Sequence, residues 1–219
     1  MEASSIVEKT IKGAKPFTDQ DFAPNKNSLL DPDQKNAGLD KSSADIFAKA
    51  VWKRSNQIWP IGLSLFPKGG IKPGQIIQGR LADCYFLSAL DALADKINLE
   101  DLFLVKKINT AGIYAVKLFM DGHWVEVIVD DFLPCDAKTG SLIFAESKTQ
   151  EPSMWVSLLE KAWAKLHGSY CLTRLGSTLT ALIALTGLSV NVIDHQTTTK
   201  DFLWELMRNE VNLACADDN

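Results

Sequence analysis

No run of Lys or Arg gives this chain a basic stripe, and no apolar stretch approaches the length needed to span a bilayer. With 23 basic and 27 acidic residues, the formal net charge of -4 argues against nucleic acid as the natural partner. Residues 1–12 lack an apolar core of signal-peptide length. Four cysteines, Cys84, Cys135, Cys171 and Cys215, are widely spaced with no C-x-x-C, which excludes a zinc knuckle or a thioredoxin-type motif. These absences predict a cytoplasmic protein with reduced thiols, most of them simply buried. Histidine is scarce: His123, His167 and His195 are the only three, and each reads as a surface or hydrogen-bonded residue.

What remains is an ordinary globular composition, 46% hydrophobic and 23% charged over 219 residues. Residues 1–43 read as an extended N-terminal arm, rich in Pro, Asn, Asp and Lys from position 15 onward. Phe17, Phe22 and Leu29 are its candidate pins. A short helix is predicted over 44–53, with Ser43 as its cap. Gly69, Gly70, Pro73, Gly74 and Gly79 then demand loop.

Residues 84–94 are apolar on nearly every side and hold no Gly or Pro, the pattern of a buried helix, with Asp83 as its cap. Strands are predicted over 113–119 and 124–129, joined by an Asp121-Gly122 turn. Helical spacing returns over 153–166 through Met154, Trp155, Leu158, Leu159, Ala162, Trp163 and Leu166, with Gly168 as the stop. A weaker helix covers 201–209. Asp130-Asp131 invites a metal-pair reading but fits better as a strand end shaping a turn. The Trp and Met residues of the 153–166 helix are core, and Cys135 and Cys171 are spare thiols.

Chemistry concentrates at Cys84. A thiol attacks as thiolate, and a helix N-terminus favours that form through its unpaired N–H groups and dipole. Gln78, six positions upstream, carries an amide suited to the oxyanion that forms when a thiolate attacks a peptide carbonyl. Gly79 lets the backbone approach a substrate. The competing reading is an inert buried cysteine at a helix start.

Residues 78–87, QGRLADCYFL, are very similar to the active-site segment Q-G-x-L-G-D-C-W-F-L of the calpains. Residues 17–29 resemble the arm F-x-D-x-x-F-x-P-N-x-x-S-L of that family, and 51–54 its V-W-K-R step. Residues 124–134 resemble W-V-E-V-x-V-D-D-x-L-P, and 158–170 resemble L-L-E-K-A-Y-A-K-L-x-G-S-Y. Five motifs in the right order mark a calpain-family, papain-like cysteine peptidase, with the calpain-like proteins of protists as its expected neighbours.

The resemblance implies an α+β fold: the helical, nucleophile-bearing lobe of the papain-like core with a small antiparallel sheet, covering 44–219. It implies Cys84 as nucleophile, Gln78 as oxyanion donor and Gly176 as a substrate-binding glycine. The neighbouring family glycine is Leu175 here, and Tyr85, Ala82 and Ala184 replace a Trp, a Gly and an Asp. The His and Asn of the triad lie, in calpains, in G-H-A-Y-S and N-P-W-G segments, and neither segment occurs in this sequence. The expected partners are therefore protein substrates and a second half of the protease core, and the chain alone is expected to be inactive. The alternative is a non-catalytic interaction module that kept the fold.

Calcium is expected from the family. Its site in this half uses two backbone carbonyls, at positions matching Lys68 and Gly70, and two carboxylates. Those carboxylate positions hold Gln75 and Ser153, so weak or absent binding is expected, with Glu151 as the nearest substitute.

Overall fold

The computed structural model describes residues 3–13, 15–30, 39, 41–194 and 196–208. The elements run α1 (Ala3–Lys12), α2 (Lys41–Ala48), β1 (Val51–Arg54), α3 (Ser55–Ile58), β2 (Ile76–Ile77) and α4 (Cys84–Leu93). They continue through β3 (Ile113–Met120), β4 (His123–Asp130), β5 (Phe132–Cys135), β6 (Glu146–Ser147), α5 (Trp155–His167), α6 (Thr178–Thr186) and α7 (Lys200–Arg208). The class is α+β, with three antiparallel strand pairs, β1–β5, β2–β6 and β3–β4.

The β3–β4 hairpin forms where the alternating residues place it. Asp121 and Gly122 have φ of 49° and 82°, the positive pair that a type I′ turn requires and that twists the two strands together. One face of the hairpin packs on α4, α5 and α6 through Tyr114, Val116, Leu118, Val127 and Val129. Phe86 of α4 stacks on Trp163 of α5, ring centroids 4.9 Å apart. The other face receives α1, whose Ala3, Val7 and Ile11 recur every fourth residue and meet Ala111, Ile113 and Ala115.

Helix α5 carries the longest consequence. Residues 155–164 are all buried, including Glu160 and Lys161, so this helix has no solvent face over most of its length. The Lys161 ammonium is ion-paired with Asp130, and donates to the carbonyls of Asp130 (3.1 Å) and Phe132 (2.7 Å). Burial pulls its pKa below the ordinary lysine value, while Asp130 opposes that shift. Asp130 Oδ2 also accepts the Asp19 N–H at 2.8 Å, and Lys165 pairs with Asp19 at 2.7 Å. Asp131 takes Arg54 at 2.6 Å and the Ser55 hydroxyl at 2.6 Å, and Arg54 donates to the Phe17 carbonyl at 2.6 Å. Asp130-Asp131 thus ends the hairpin, as the sequence predicts, and also ties residues 17–19 to α5 and β1.

Three expectations change. The 1–43 arm is not extended throughout, because its first turns form α1 on the apolar outer face of the hairpin. Residues 31–38 and 40 of that arm lie outside the described residues. The helix expected over 44–53 begins at Lys41 and stops at Ala48, with Ser43 inside it. Val51 and Trp52 are a β-branched and an aromatic residue, and pairing with β5 converts 51–54 into a strand. Asn209, the expected end of the last helix, lies outside the described residues, as do Cys215 and His195.

Replacing Lys161 with Met leaves the Asp130 carboxylate buried without its cation. The variant should lose about 3–5 kcal/mol of stability, and the double change with Asp130→Asn should recover part of it. Urea unfolding midpoints of the three proteins check this.

Candidate functional site

Cys84 opens α4 and is exposed, whereas Cys135 is fully buried. Burial pushes the Cys135 thiol up to about 11, which leaves it inert as a nucleophile. The turn that delivers Cys84 is held on both sides. The Arg80 N–H donates to the Ile143 carbonyl at 2.8 Å, and the Leu175 N–H donates to the Ala82 carbonyl at 3.0 Å. Behind it, the Asp83 carbonyl accepts the N–H groups of Phe86 (2.9 Å) and Leu87 (3.2 Å), starting the α4 ladder. The Asp83 side chain does not cap α4 as expected. It is wholly buried and makes no hydrogen bond to the helix end.

Cys84 and Gln78 line one cavity of about 360 Å³, together with Ile76, Leu87, Ser88 and Asp91. Asp91 fixes the cavity rim by accepting the Gly74 N–H at 2.7 Å. One N–H of the Gln78 amide donates to the Leu81 carbonyl at 2.9 Å. A glutamine amide has two N–H groups, so this bond orients the side chain and leaves a second donor. Gly79 has a packing reason to be glycine. A Cβ there would overlap the backbone of Ile143 and Phe144, so this glycine lets the Gln78 turn press against the chain itself.

Gly176 lies flat on the Tyr85 ring, which a Cβ would overlap. That ring is fixed by two hydrogen bonds: its hydroxyl donates to the Thr173 carbonyl and accepts from the Trp163 indole N–H, both at 2.9 Å. Burial pushes the Tyr85 phenol above its ordinary value. Leu175 takes φ of 57°, a conformation unusual for leucine, and stands 81% exposed beside the turn that carries Cys84.

Among the described residues, no histidine lines the cavity. His123 starts β4, exposed, 3.2 Å from the Asp121 carbonyl. His167 ends α5 with Nδ1 2.8 Å from the Trp163 carbonyl and its ring against the Trp163 indole. Both fit the surface or hydrogen-bonded role that the sequence suggests.

Gly69 and Gly70 have φ of 92° and 84°, and the Gly70 N–H donates to the Pro67 carbonyl at 3.0 Å, so the loop that carries the carbonyls of Lys68 and Gly70 is tightly turned. Gln75 Oε1 accepts the Lys72 N–H at 2.9 Å, closing the same loop. Ser153 is buried, with its hydroxyl 3.5 Å from that of Thr149. Among the described residues, no group of three or more His, Cys, Asp or Glu side chains is arranged to hold a metal ion.

The sequence reading missed Glu160 altogether. It sits one residue from Lys161, buried, and accepts the Ala145 N–H at 3.0 and 3.2 Å through its two oxygens. A usable signal was present: Val156, Ser157 and Ala164 leave α5 almost no polar face around Glu160 and Lys161, which places those two charges in the interior.

The calpain family cysteine protease model matches residues 17–218. The chain is 38% identical over 188 residues to the calpain-type cysteine protease ADL1 of Oryza sativa subsp. japonica, covering 84% of this chain and 8% of that protein. It is 38% identical over 168 residues to Calpain-5 of Caenorhabditis elegans, covering 73% of this chain and 24% of that protein. Calpain-10 of Mus musculus is 38% identical over 177 residues, 78% of this chain and 25% of its own length. The chain thus spans a quarter or less of each of these relatives. Since the match embraces the Gln78–Cys84 turn, the hairpin and α5 alike, this chain belongs to the calpain family of cysteine proteases.

Proposed function

We propose that this chain supplies the nucleophile side of a cysteine endopeptidase acting on protein substrates. The observation that carries the reading is the exposed Cys84 at the head of α4, sharing one cavity with Gln78. In this reading the Cys84 sulfur attacks the scissile carbonyl, and the free N–H of Gln78 stabilises the oxyanion. Gly176, flat on Tyr85, presents its backbone to the substrate. The imidazole that takes the proton and returns it to the leaving amine comes from a second half of the protease core. The free thiols of Cys84, Cys135 and Cys171 suit a reducing, cytoplasmic setting. No helix among the described residues is long and apolar enough to cross a membrane.

The residues at the family's calcium positions do not fit that ion well. Ca²⁺ takes six to eight oxygens and needs negative charge to offset its own. Here the Gln75 side-chain oxygen is engaged by Lys72 and Ser153 is neutral and buried, so this half binds Ca²⁺ weakly or not at all.

A peptidyl epoxide should modify Cys84 faster than the same epoxide stripped of its peptide, and faster than either modifies Cys135 or Cys171. Mass spectrometry of the digested protein reads all three sites. Equal rates with and without the peptide would remove the case for a substrate cleft. Calcium titration calorimetry should show no stoichiometric binding at micromolar concentration. Tight binding lost in Glu151→Gln would overturn that expectation and name the substitute ligand.

A further inference from the structure

Asp83 and Glu160 are two buried carboxyl groups, and among the described residues neither is ion-paired with a cation. Asp83 is fully buried, and no N–H or hydroxyl among the described residues reaches either of its side-chain oxygens. Glu160 is 1% exposed and meets the Ala145 N–H. Beyond burial, each carboxyl is the chief influence on the other's charge, across the α4–α5 contact where Phe86 stacks on Trp163. The nearest candidate cation in sequence, Lys161, is turned to Asp130 and the Phe132 carbonyl. Two carboxylates cannot both stay ionised in such a place, since each would face desolvation and the other's charge.

We propose that Asp83 and Glu160 share one proton in a carboxylic acid–carboxylate hydrogen bond that ties the nucleophile turn to α5, making both of them positioning residues for Cys84. The positioning role rests on the reading of Cys84 as nucleophile; the shared proton does not.

The proton belongs to the pair, and Glu160 is also anchored by the Ala145 N–H. Burial raises both groups above the ordinary carboxylate range, Asp83 to about 6 and Glu160 well above its usual value. Their effects on each other are opposite in sign, as one proton held by the pair requires. The surrounding groups leave one proton to the pair. Tyr85 on α4 and Tyr170 after α5 are raised by burial and stay neutral, and Asp130 at the end of β4 is matched by Lys161. Cys84 itself is next in the chain to Asp83.

This explains why Asp83 stands at the N-cap and caps nothing. Its side chain is spent on α5, and its backbone carbonyl, fixed by that tether, starts the α4 ladder from which Cys84 projects. Between about pH 4, the unfolded carboxylate value, and the raised folded values, the folded protein binds more protons than the unfolded chain. The pair's contribution to stability is therefore complete below about pH 4. It falls as pH rises through about 6 and beyond, when the proton leaves and two like charges face each other.

Carboxyl-resolved ¹³C NMR of the whole chain with labelled Asp and Glu, titrated from pH 4 to 9, tests the pair without any variant. One buried carboxyl should titrate near 6 or above, shifted from the ordinary value of about 4. Ordinary titration of every carboxyl would overturn the proposal. Glu160→Gln, whose amide donates to Asp83 at every pH, should flatten the fall of melting temperature with rising pH. It should also keep Cys84 alkylation on one smooth thiol titration where the wild type breaks from it. An unchanged melting slope would count against the shared proton. A Cys84 profile identical in wild type and Glu160→Gln would refute the positioning role. Failure of the peptidyl epoxide to select Cys84 would instead refute the nucleophile reading and leave the carboxyl titration standing.

Discussion

The Asp130–Lys161 ion pair sits where three parts of the chain converge, and it has no access to water. A lysine placed in a helix with no solvent face is tolerable only if its charge is met on the spot, and Asp130 meets it at the end of the hairpin. The same carboxylate accepts the backbone N–H of Asp19, which draws the N-terminal segment over the hairpin edge. Lys165, one turn further along α5, repeats the arrangement with Asp19. Hairpin, arm and α5 are therefore registered against one another by charge, while Phe86, Trp163 and Tyr114 supply the apolar burial. Apolar packing tolerates small slides; a buried ion pair with three acceptors around one ammonium does not, so it fixes the position of α5 along its axis.

That position matters because α5 reaches the turn that carries Cys84 by two further routes. The Trp163 indole N–H holds the Tyr85 hydroxyl, and Glu160 holds Asp83, the residues on either side of Cys84. The two contacts differ in kind. Trp163–Tyr85 joins neutral groups and does not depend on pH in the neutral range. Glu160–Asp83 depends on one proton. Cys84 is thus braced by one constant and one titratable link, both borne on a helix that buried charge holds in register.

Much of this was legible from the residues. The hairpin, its Asp121-Gly122 turn, α4 from Cys84 and α5 with its Gly168 stop follow from local pattern, because each spans contiguous residues whose periodicity matches their burial. Gln78 and Cys84 are neighbours in sequence, and their shared cavity follows from the tight turn between them. What pattern missed depends on distant partners. Residues 51–54 become a strand only because β5 lies alongside, about eighty positions away. Asp83 reads as a helix cap by rule, and only the buried Glu160 draws its side chain elsewhere. Gly79 looks like room for a substrate, and only the fold shows that Ile143 and Phe144 occupy that room.

The pair Leu175-Gly176 shows how such a cleft can vary and where it cannot. Both face the turn that carries Cys84, and both are glycine in the family that the sequence resembles. At 176 the constraint is contact: the Tyr85 ring fills the space a Cβ would take, and that ring is pinned by Thr173 and Trp163, so it cannot withdraw. At 175 the constraint is only the backbone angle. A leucine at φ 57° costs roughly 1–2 kcal/mol of local strain, and its side chain, being exposed, meets no protein atom that forbids it. Replacement at 175 is therefore affordable within a marginal stability, while replacement at 176 would dislodge Tyr85 and with it one of the two braces on Cys84. Position 176 is held fixed by packing, and the exposed position 175 is free to vary.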